Sequence, residues 1–261
     1  MTLNAPSGGS ATTLNVVANT DKIVDTIKSF ISDYNSLLDT VNGKLNEERY
    51  RKYAPLTDEQ RSAMKDDEIK LWEDKAKSGL LHNDSTLSQA VNNIRLASVT
   101  SVKIDGADVN LSALGIRTGE WTSLGKLAIV DEGKLRAAIE SNPDQVVKFF
   151  TQQTTEADPK LKVLPTNPDN GLFNRLSNSI MAALDGMTEK AGTSKYSTDP
   201  NAAFAPTSLL GTQLRDIDIR MSDLSDRLTS IETNYYRKFT AMETAMNRYN
   251  SQSSSLFGAS Q

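Results

Sequence analysis

The chain has 261 residues, of which 38% are hydrophobic and 6% aromatic, with a formal net charge of -4 and no cysteine. The interleaved charges provide no electrostatic reason to expect nucleic acid or an anionic membrane as a partner, and the absence of cysteine excludes disulfides, thiolate metal sites and thiol nucleophiles. The sequence contains no run of about 18 apolar residues, so no transmembrane helix is predicted. The N-terminus lacks the basic and apolar regions of a Sec signal peptide.

Residues 1–20 are predicted to be a flexible end, because 1–12 are rich in Gly, Ser, Ala and Thr. A short alternation at Leu14, Val16 and Ala18 indicates a strand, and Thr20 is placed to cap the helix that follows. That helix carries apolar residues at intervals of three and four: Val24, Ile27, Ile31, Tyr34, Leu38, Val41 and Leu45. We therefore expect one long helix with a single apolar stripe near the start of the chain.

The next segment shows two helix starts. Thr57 and Gln60 form a capping-box pattern, which predicts one helix that ends near Gly79 and carries these apolar residues: Met64, Ile69, Leu71 and Trp72. Its charged residues are interpreted as a solvated face. Asp84 or Ser85 caps another helix, whose inner side is predicted to hold Leu87, Val91, Ile94 and Leu96.

The middle third changes to a period of two, which indicates strands. Residues 99–104 alternate before an Asp105-Gly106 turn signal, and Leu127 and Ile129 indicate a second strand. Asp131 caps a helix that carries Leu135, Ala138 and Ile139. Asn142-Pro143 starts another helix, which is predicted to bury Val146, Val147, Phe149 and Phe150. A small central antiparallel sheet among helices is the expected arrangement.

The last third begins with a surface loop over 153–170, followed by an amphipathic helix over 172–187 and a polar linker over 189–208. The final segment carries a second stripe at heptad spacing, which predicts a helix that packs along its length against another helix. Its members are Leu210, Leu214, Ile217, Met221, Leu224, Leu228, Ile231, Tyr235, Phe239, Met242, Met246 and Tyr249. Two consecutive intervals of four at Tyr235 and Phe239 form a stutter. The serine-rich tail after Tyr249 is expected to fray.

Catalytic chemistry has no candidate residues in this sequence. His82 is the only histidine and lies in a predicted turn, so we interpret it as a loop residue. No glycine pattern matches a dinucleotide-binding or Walker A loop. The fold class predicted is therefore mainly α with a small β component, as an elongated helical bundle without catalytic residues, metal site or cofactor.

Several stretches, in their order along the chain, resemble one family. They are FISDYNSL near the start, LSALGI and GKLAIVDEGKLRAAIESNPDQVVKFF in the middle, and KFTAMETAMNRYNSQSSSL at the end. Together they resemble the C-terminal half of the bacterial flagellar filament cap family (FliD, flagellar hook-associated protein 2). The resemblance covers about residues 12–257.

The resemblance implies a structural homo-oligomer, a ring of five subunits at the filament tip that guides flagellin into place. It implies contacts with flagellin, with hook-associated junction proteins and with a cytosolic export chaperone, and secretion by the flagellar type III route without a cleaved signal. The stripe from Leu210 to Tyr249 would supply leg, chaperone or subunit contacts. Cell adhesion is a role of some family members that no residue here tests.

The resemblance also gives the domain assignment. Residues 1–20 would be a flexible end or a remnant of an outer β domain, 21–188 the helical body, 189–208 a linker and 209–261 a coiled-coil leg with a frayed tail. We expect the chain to be a fragment, without the family's N-terminal leg helix. Two alternatives stay open: another exported coiled-coil protein (a hook–filament junction protein, a flagellin relative or a type III translocator), or an enzyme or regulator with a coiled-coil arm.

Overall fold

The structure is a computed structural model that describes residues 19–119, 123–196 and 206–258, with side chains as far as 253. The chain divides into two compact units, one up to Gly186 and one from Met187 onward. The strand predicted at Leu14–Ala18 lies outside the described residues, as does 197–205 of the predicted linker. This division does not test the assignment of an outer-domain remnant, a body, a linker and a leg, which stays a prediction.

Helices lie at both ends of the chain and strands in the middle, as predicted, although a short helix at Pro159–Lys162 falls within the predicted loop over 153–170. The α-helices are α1 Thr20–Leu45, α2 Asp58–Ser62, α3 Asp66–Lys77, α4 Ser85–Val99, α5 Glu132–Ser141, α6 Pro143–Thr151, α7 Pro159–Lys162, α8 Leu172–Ala191 and α9 Leu209–Gly258. The strands are β1 Val102–Ile104, β2 Ala107–Val109, β3 Ile116–Thr118 and β4 Leu127–Ile129, with a 3-10 helix at Leu111–Leu114. The predicted class, mainly α with a small β component, is confirmed.

The predicted stripe on α1 forms the centre of the core of the first unit. All of its members are buried except Val41, which is half-buried. The stripe contacts α4, α5 and β4, and Phe30 beside it packs against Phe173 of α8 with ring centroids 5.0 Å apart. The helix begins one residue earlier than predicted: Asn19, rather than Thr20, is the N-cap and accepts from the amide of Lys22.

The predicted single helix before Gly79 is two helices, α2 and α3. The capping box at Thr57 is present as predicted, but Ala63 ends α2 and α3 begins at Asp66. No residue of α2 or α3 is buried, and Leu71 is exposed. A ring contact between Tyr53 and Trp72, 4.7 Å between centroids, fixes α3 on the preceding loop instead.

The β component consists of two separate two-stranded antiparallel ladders rather than one small sheet. In the first, β1 pairs with β2 around the Asp105-Gly106 turn, where both residues have positive φ, as a type I′ hairpin turn requires. In the second, β3 pairs with β4. Gly115 precedes β3 with a φ of +69°, and an added Cβ would lie 2.2 Å from the carbonyl oxygen of Asp131, so only glycine fits there.

Two predicted core positions face solvent. Leu96 on α4 and Val147 on α6 are exposed, whereas Ala97 on α4 is fully buried. Consecutive residues of a helix point about 100° apart. When one of two neighbouring residues is buried in the core, the other can therefore face solvent. The caps predicted at Asp84, Asp131 and Asn142 are confirmed.

An arginine lies at the centre of the first unit. Arg175 on α8 has no exposed surface, and its guanidinium donates to the carbonyl oxygens of Thr100 and Ser101 at 2.8 and 3.0 Å. Those carbonyls follow the C-terminal end of α4, where the helix dipole attracts a cation. Burial lowers the pKa of Arg175 to about 10, so the group stays charged at neutral pH. The sequence contains no pattern that predicts this burial.

Two polar side chains join α1 to β4 and the loop before it. The Tyr34 hydroxyl donates to the carbonyl oxygen of Gly125 at 3.2 Å and lies 3.0 Å from Ser98 Oγ, and burial raises its pKa. Asn35 Nδ2 donates to the carbonyl oxygen of Leu127, and Asn35 Oδ1 accepts from the Leu127 amide. These contacts fix the rotation of α1 about its axis as well as its position.

Candidate functional site

The predicted stripe on α9 is exposed along its whole length. α9 contains 50 residues, which gives a rod about 75 Å long. The twelve stripe side chains, from Leu210 to Tyr249, are between 41% and 74% exposed. Exposed apolar patches of this extent mark interaction surfaces in soluble proteins. The structure therefore places the predicted residues on one continuous apolar face, and we call it the α9 stripe.

The α9 stripe has two parts of different chemistry. From Leu210 to Ile231 the side chains are Leu, Ile and Met at strict heptad spacing. From Tyr235 onward they are aromatic or Met, and Lys238 lies over the Tyr235 ring at 5.7 Å. The helix runs through the stutter without interruption and continues to Gly258, beyond Tyr249, where fraying was predicted. Aliphatic heptads favour regular helix pairing, whereas Met and aromatic side chains adapt to less regular surfaces.

Three exposed apolar side chains of α9 lie outside the α9 stripe and were missed. Leu209, Ile219 and Tyr236 are all more than half exposed. Leu209 and Ile219 have no member of the stripe three or four residues away, and Tyr236 is three residues before Phe239 but five after Ile231. None of the three continues the heptad, so the heptad criterion did not find them. A plain search for apolar residues on a solvated helix would have done so.

The first unit contains a solvent-open cavity of about 810 Å³ that the sequence did not indicate. Arginines and tyrosines line it, including Arg49, Arg51, Tyr50 and Tyr53. Its single lining carboxylate, Glu73, pairs with Arg61 and Lys77. The hydrogen bond from Arg61 is the main cause that holds the pKa of Glu73 below its usual value. This is the ordinary state of a paired carboxylate and does not prepare Glu73 for acid–base chemistry.

The structure gives no catalytic or metal-binding role to His82 or to the carboxylates of the described residues. His82 lies in an exposed turn, where its amide donates to the carbonyl oxygen of Gly79. Within residues 19–119, 123–196 and 206–258, no group of three or more His, Asp or Glu side chains could hold a metal ion. No helix in that part of the chain is long and apolar enough to cross a membrane.

Comparison with known proteins gives one consistent family. The family model described as "Flagellar hook-associated protein 2 C-terminus" matches residues 1–251. The flagellar hook-associated protein 2 of Halalkalibacterium halodurans is 32% identical over 94% of this chain and 46% of its own length. That of Thermotoga maritima is 26% identical over 93% of this chain and 34% of its own.

The B-type flagellar hook-associated protein 2 of Pseudomonas aeruginosa is 26% identical over 92% of this chain and 40% of its own length. No solved structure matches the chain significantly. The chain spans less than half the length of each of these curated relatives. It belongs to the flagellar hook-associated protein 2 family, and the region it matches is the C-terminal one.

Proposed function

We propose that the chain is part of a structural subunit of the flagellar filament cap, which assembles as a ring at the filament tip and guides flagellin into the filament. Within this assembly the α9 stripe carries the contacts with partner helices: neighbouring subunits, flagellin, hook-associated junction proteins and, before export, a cytosolic chaperone. Export by the flagellar type III route belongs to the same proposal.

Family membership makes the chain part of a structural flagellar protein that associates with the filament, and the chain is not an enzyme. The family match disfavours both alternatives raised by the sequence: a different exported coiled-coil protein, and an enzyme or regulator with a coiled-coil arm. The ring, the position at the tip, the chaperone and the role in cell adhesion go beyond that membership.

One observation carries the proposal: twelve large apolar side chains lie exposed on one face of a 50-residue helix. Full burial of such a side chain stabilises an interface by about 1.5–3 kcal/mol. Even partial burial of several of them outweighs the entropy lost on association. A rod with one apolar face is thus suited to binding another helix along its length.

The test places charge in the middle of the α9 stripe. Leu224→Asp combined with Leu228→Asp should abolish binding to purified flagellin and to the organism's flagellar export chaperone, measured by calorimetry. The near-ultraviolet circular dichroism of the first unit should stay the same, because neither residue belongs to its core.

A matched control carries the same charges off the stripe. Thr229→Asp combined with Thr233→Asp adds two carboxylates to exposed positions of the same helix, so it should bind as the wild type does. If the Leu pair binds both proteins with wild-type affinity, the α9 stripe is not the contact surface. Equal loss in both pairs would indicate general repulsion rather than a specific seam.

A further inference from the structure

The open cavity in the first unit is formed by one continuous stretch of the chain. All of its lining residues lie between Arg49 and Leu80, in the loop after α1, in α2 and around the C-terminal end of α3. No residue of this stretch belongs to the hydrophobic core. Core packing therefore does not account for its structure, and we call this cavity the α3 cavity.

Hydrogen bonds hold the loop after α1 against α3, so the α3 cavity is preformed. The indole nitrogen Trp72 Nε1 donates to the carbonyl oxygen of Ala54 at 2.8 Å. Ser78 Oγ donates to the carbonyl oxygen of Glu48 at 2.7 Å. These two contacts fix the loop on both sides of residues 49–53, and ligand sites in proteins are usually preformed in this way.

Cations outnumber carboxylates in the lining of the α3 cavity. Four cationic side chains and one carboxylate line it: Arg49, Arg51, Arg61, Lys77 and Glu73. Arg61 and Lys77 pair with Glu73. Arg49 and Arg51 are exposed and form no ion pair between residues that the structure describes. Since the whole chain carries a net charge of -4, the α3 cavity is a local basic site on an acidic protein, and it attracts anions.

The two carboxylates that precede these arginines in the chain are engaged elsewhere. Glu47 pairs with Lys44 at 3.0 Å. Glu48 accepts a hydrogen bond from the hydroxyl of Tyr50. The two unpaired guanidinium groups of the lining thus keep their hydrogen-bond donors for a bound group.

The chemistry of the α3 cavity fits a short acidic peptide segment. A guanidinium forms two parallel hydrogen bonds with a carboxylate, which gives both affinity and orientation. Apolar side chains in the same lining, including Pro55, Leu56 and Leu80, provide contacts for an apolar side chain of that segment. A volume of about 810 Å³ is typical of a site for a small ligand rather than for a folded domain. Arg and Tyr, both present here, are enriched where binding energy is concentrated.

The aromatic rings of the α3 cavity favour a peptide over an anionic polysaccharide. A sugar ring stacks on an open aromatic face. Lys75 Nζ lies over the rings of Tyr50 and Tyr53, at 5.8 and 4.8 Å from their centroids. Tyr53 also makes edge contacts with Tyr50 and Trp72. These contacts occupy aromatic surface on which a sugar would stack, whereas a carboxylate needs only the guanidinium groups.

We propose that the α3 cavity binds a short acidic segment of a partner protein, with Arg49 and Arg51 each binding one carboxylate. The apolar lining takes up a neighbouring apolar side chain of the same segment. This site goes beyond the proposed function, because it lies in the first unit and does not involve the α9 stripe.

The test uses a model acidic peptide and the full chain. The probe is the fluorescein-labelled peptide DLEDLEDL, and its neutral counterpart is NLQNLQNL, with fluorescence anisotropy as the readout. The acidic peptide should bind at least about tenfold more tightly than the neutral one, because amides cannot form the charge-assisted hydrogen bonds of a carboxylate with arginine. The same leucines in both peptides control for apolar binding.

A pair of substitutions assigns the binding to the α3 cavity. Arg49→Gln combined with Arg51→Gln should weaken binding of the acidic peptide at least about tenfold. Lys160→Gln combined with Lys162→Gln is the matched control, since it removes the same charge from exposed positions of α7 outside the cavity. The control pair should bind the peptide as the wild type does. All four side chains are exposed, so the near-ultraviolet circular dichroism should stay the same in both variants.

Three results would overturn the inference: no binding of the acidic peptide, equal binding of the two peptides, or equal losses in the two glutamine pairs. Displacement of the peptide by polygalacturonate at a lower concentration of carboxylate would also overturn it, in favour of a polysaccharide site. The Leu224→Asp and Leu228→Asp pair should bind the peptide as the wild type does. If the peptide does not bind but that leucine pair loses flagellin and chaperone binding, this inference fails and the proposed function stands.

Discussion

α1 and α9 carry apolar stripes with the same spacing of three and four residues, but the two stripes have opposite surroundings. The α1 stripe is buried against α4, α5 and β4, whereas the α9 stripe is exposed from Leu210 to Tyr249. The periodicity of a stripe therefore specifies that a helix will pack along one face. It does not specify whether the covering surface is in the same chain or in another.

The flanks of the two helices differ as well. Beside the α1 stripe, Lys28 pairs with Glu132 at 2.9 Å and Arg136 with Asp21 at 2.6 Å, so charges of α1 are matched by α5. Beside the α9 stripe, charges of both signs lie without such partners in the described residues. Charged side chains beside the α1 stripe are paired within the chain and help to fix that helix in its own fold. Charged side chains beside the α9 stripe remain available to pair with a partner.

The largest predicted effect compares one leucine from each stripe. Leu38 has no exposed surface and Leu228 is 66% exposed. Leu38→Ala should lower the free energy of unfolding by about 2–5 kcal/mol, because it leaves a cavity in a packed core. Leu228→Ala should change it by less than about 0.5 kcal/mol, measured by urea denaturation at low protein concentration. Equal losses would mean that the α9 stripe is part of the folded core.

The tyrosines of the two stripes provide a smaller contrast. Tyr34→Phe removes a buried hydroxyl and leaves the Gly125 carbonyl oxygen without that donor, which should cost about 1–3 kcal/mol. Tyr235→Phe removes an exposed hydroxyl and should be silent in the same denaturation experiment. If Tyr34→Phe is silent too, water replaces the hydroxyl and α1 is less tightly enclosed than the structure indicates.

The smallest predicted effect concerns pH. Hydrogen bonds from Lys28, and then from Arg136, hold the pKa of Glu132 below its usual value. A carboxyl whose pKa is lowered by folding stabilises the folded state at pH values above its pKa in the unfolded chain, near 4.3. This stabilisation is lost as the pH falls through the pKa in the folded chain. Glu132→Gln should therefore slightly lower the melting temperature at pH 7 but not at pH 3, since Glu132 is solvent-accessible and screened.

Glu243 on α9 provides the matched control for that experiment. It is exposed and has no ion pair among the described residues, so Glu243→Gln should leave the difference between the melting temperatures at pH 7 and pH 3 unchanged. A drop of the same size in both variants at pH 7 would show that lost net charge, rather than the contact with α1, causes the effect.

Local sequence rules predicted most of the helix starts because those rules depend on residues close together in the chain. Thr57, Asp84, Asp131 and Asn142 cap the helices as expected, and Asp105-Gly106 makes the expected hairpin turn. The α9 stripe was found in the same way. These features need no knowledge of what lies across the core.

The failures concern contacts between distant residues. Leu96 and Val147 were predicted to be inside because they are apolar, but their burial depends on which side of each helix faces the core. The buried position of Arg175 depends on carbonyl groups about 75 residues earlier. The separation of β1–β2 from β3–β4 depends on pairing that three-residue strands do not encode by themselves.

The contact between Asn35 and Leu127 has a consequence for solubility. The peptide groups along an outer strand of a ladder are a template on which a further strand can add, which leads to aggregation. The Asn35 side chain offers one acceptor and one donor in the spacing of a peptide unit, and it binds both the amide and the carbonyl of Leu127. α1 therefore closes the free edge of β4, and the ladder cannot grow from that side while the helix is in place.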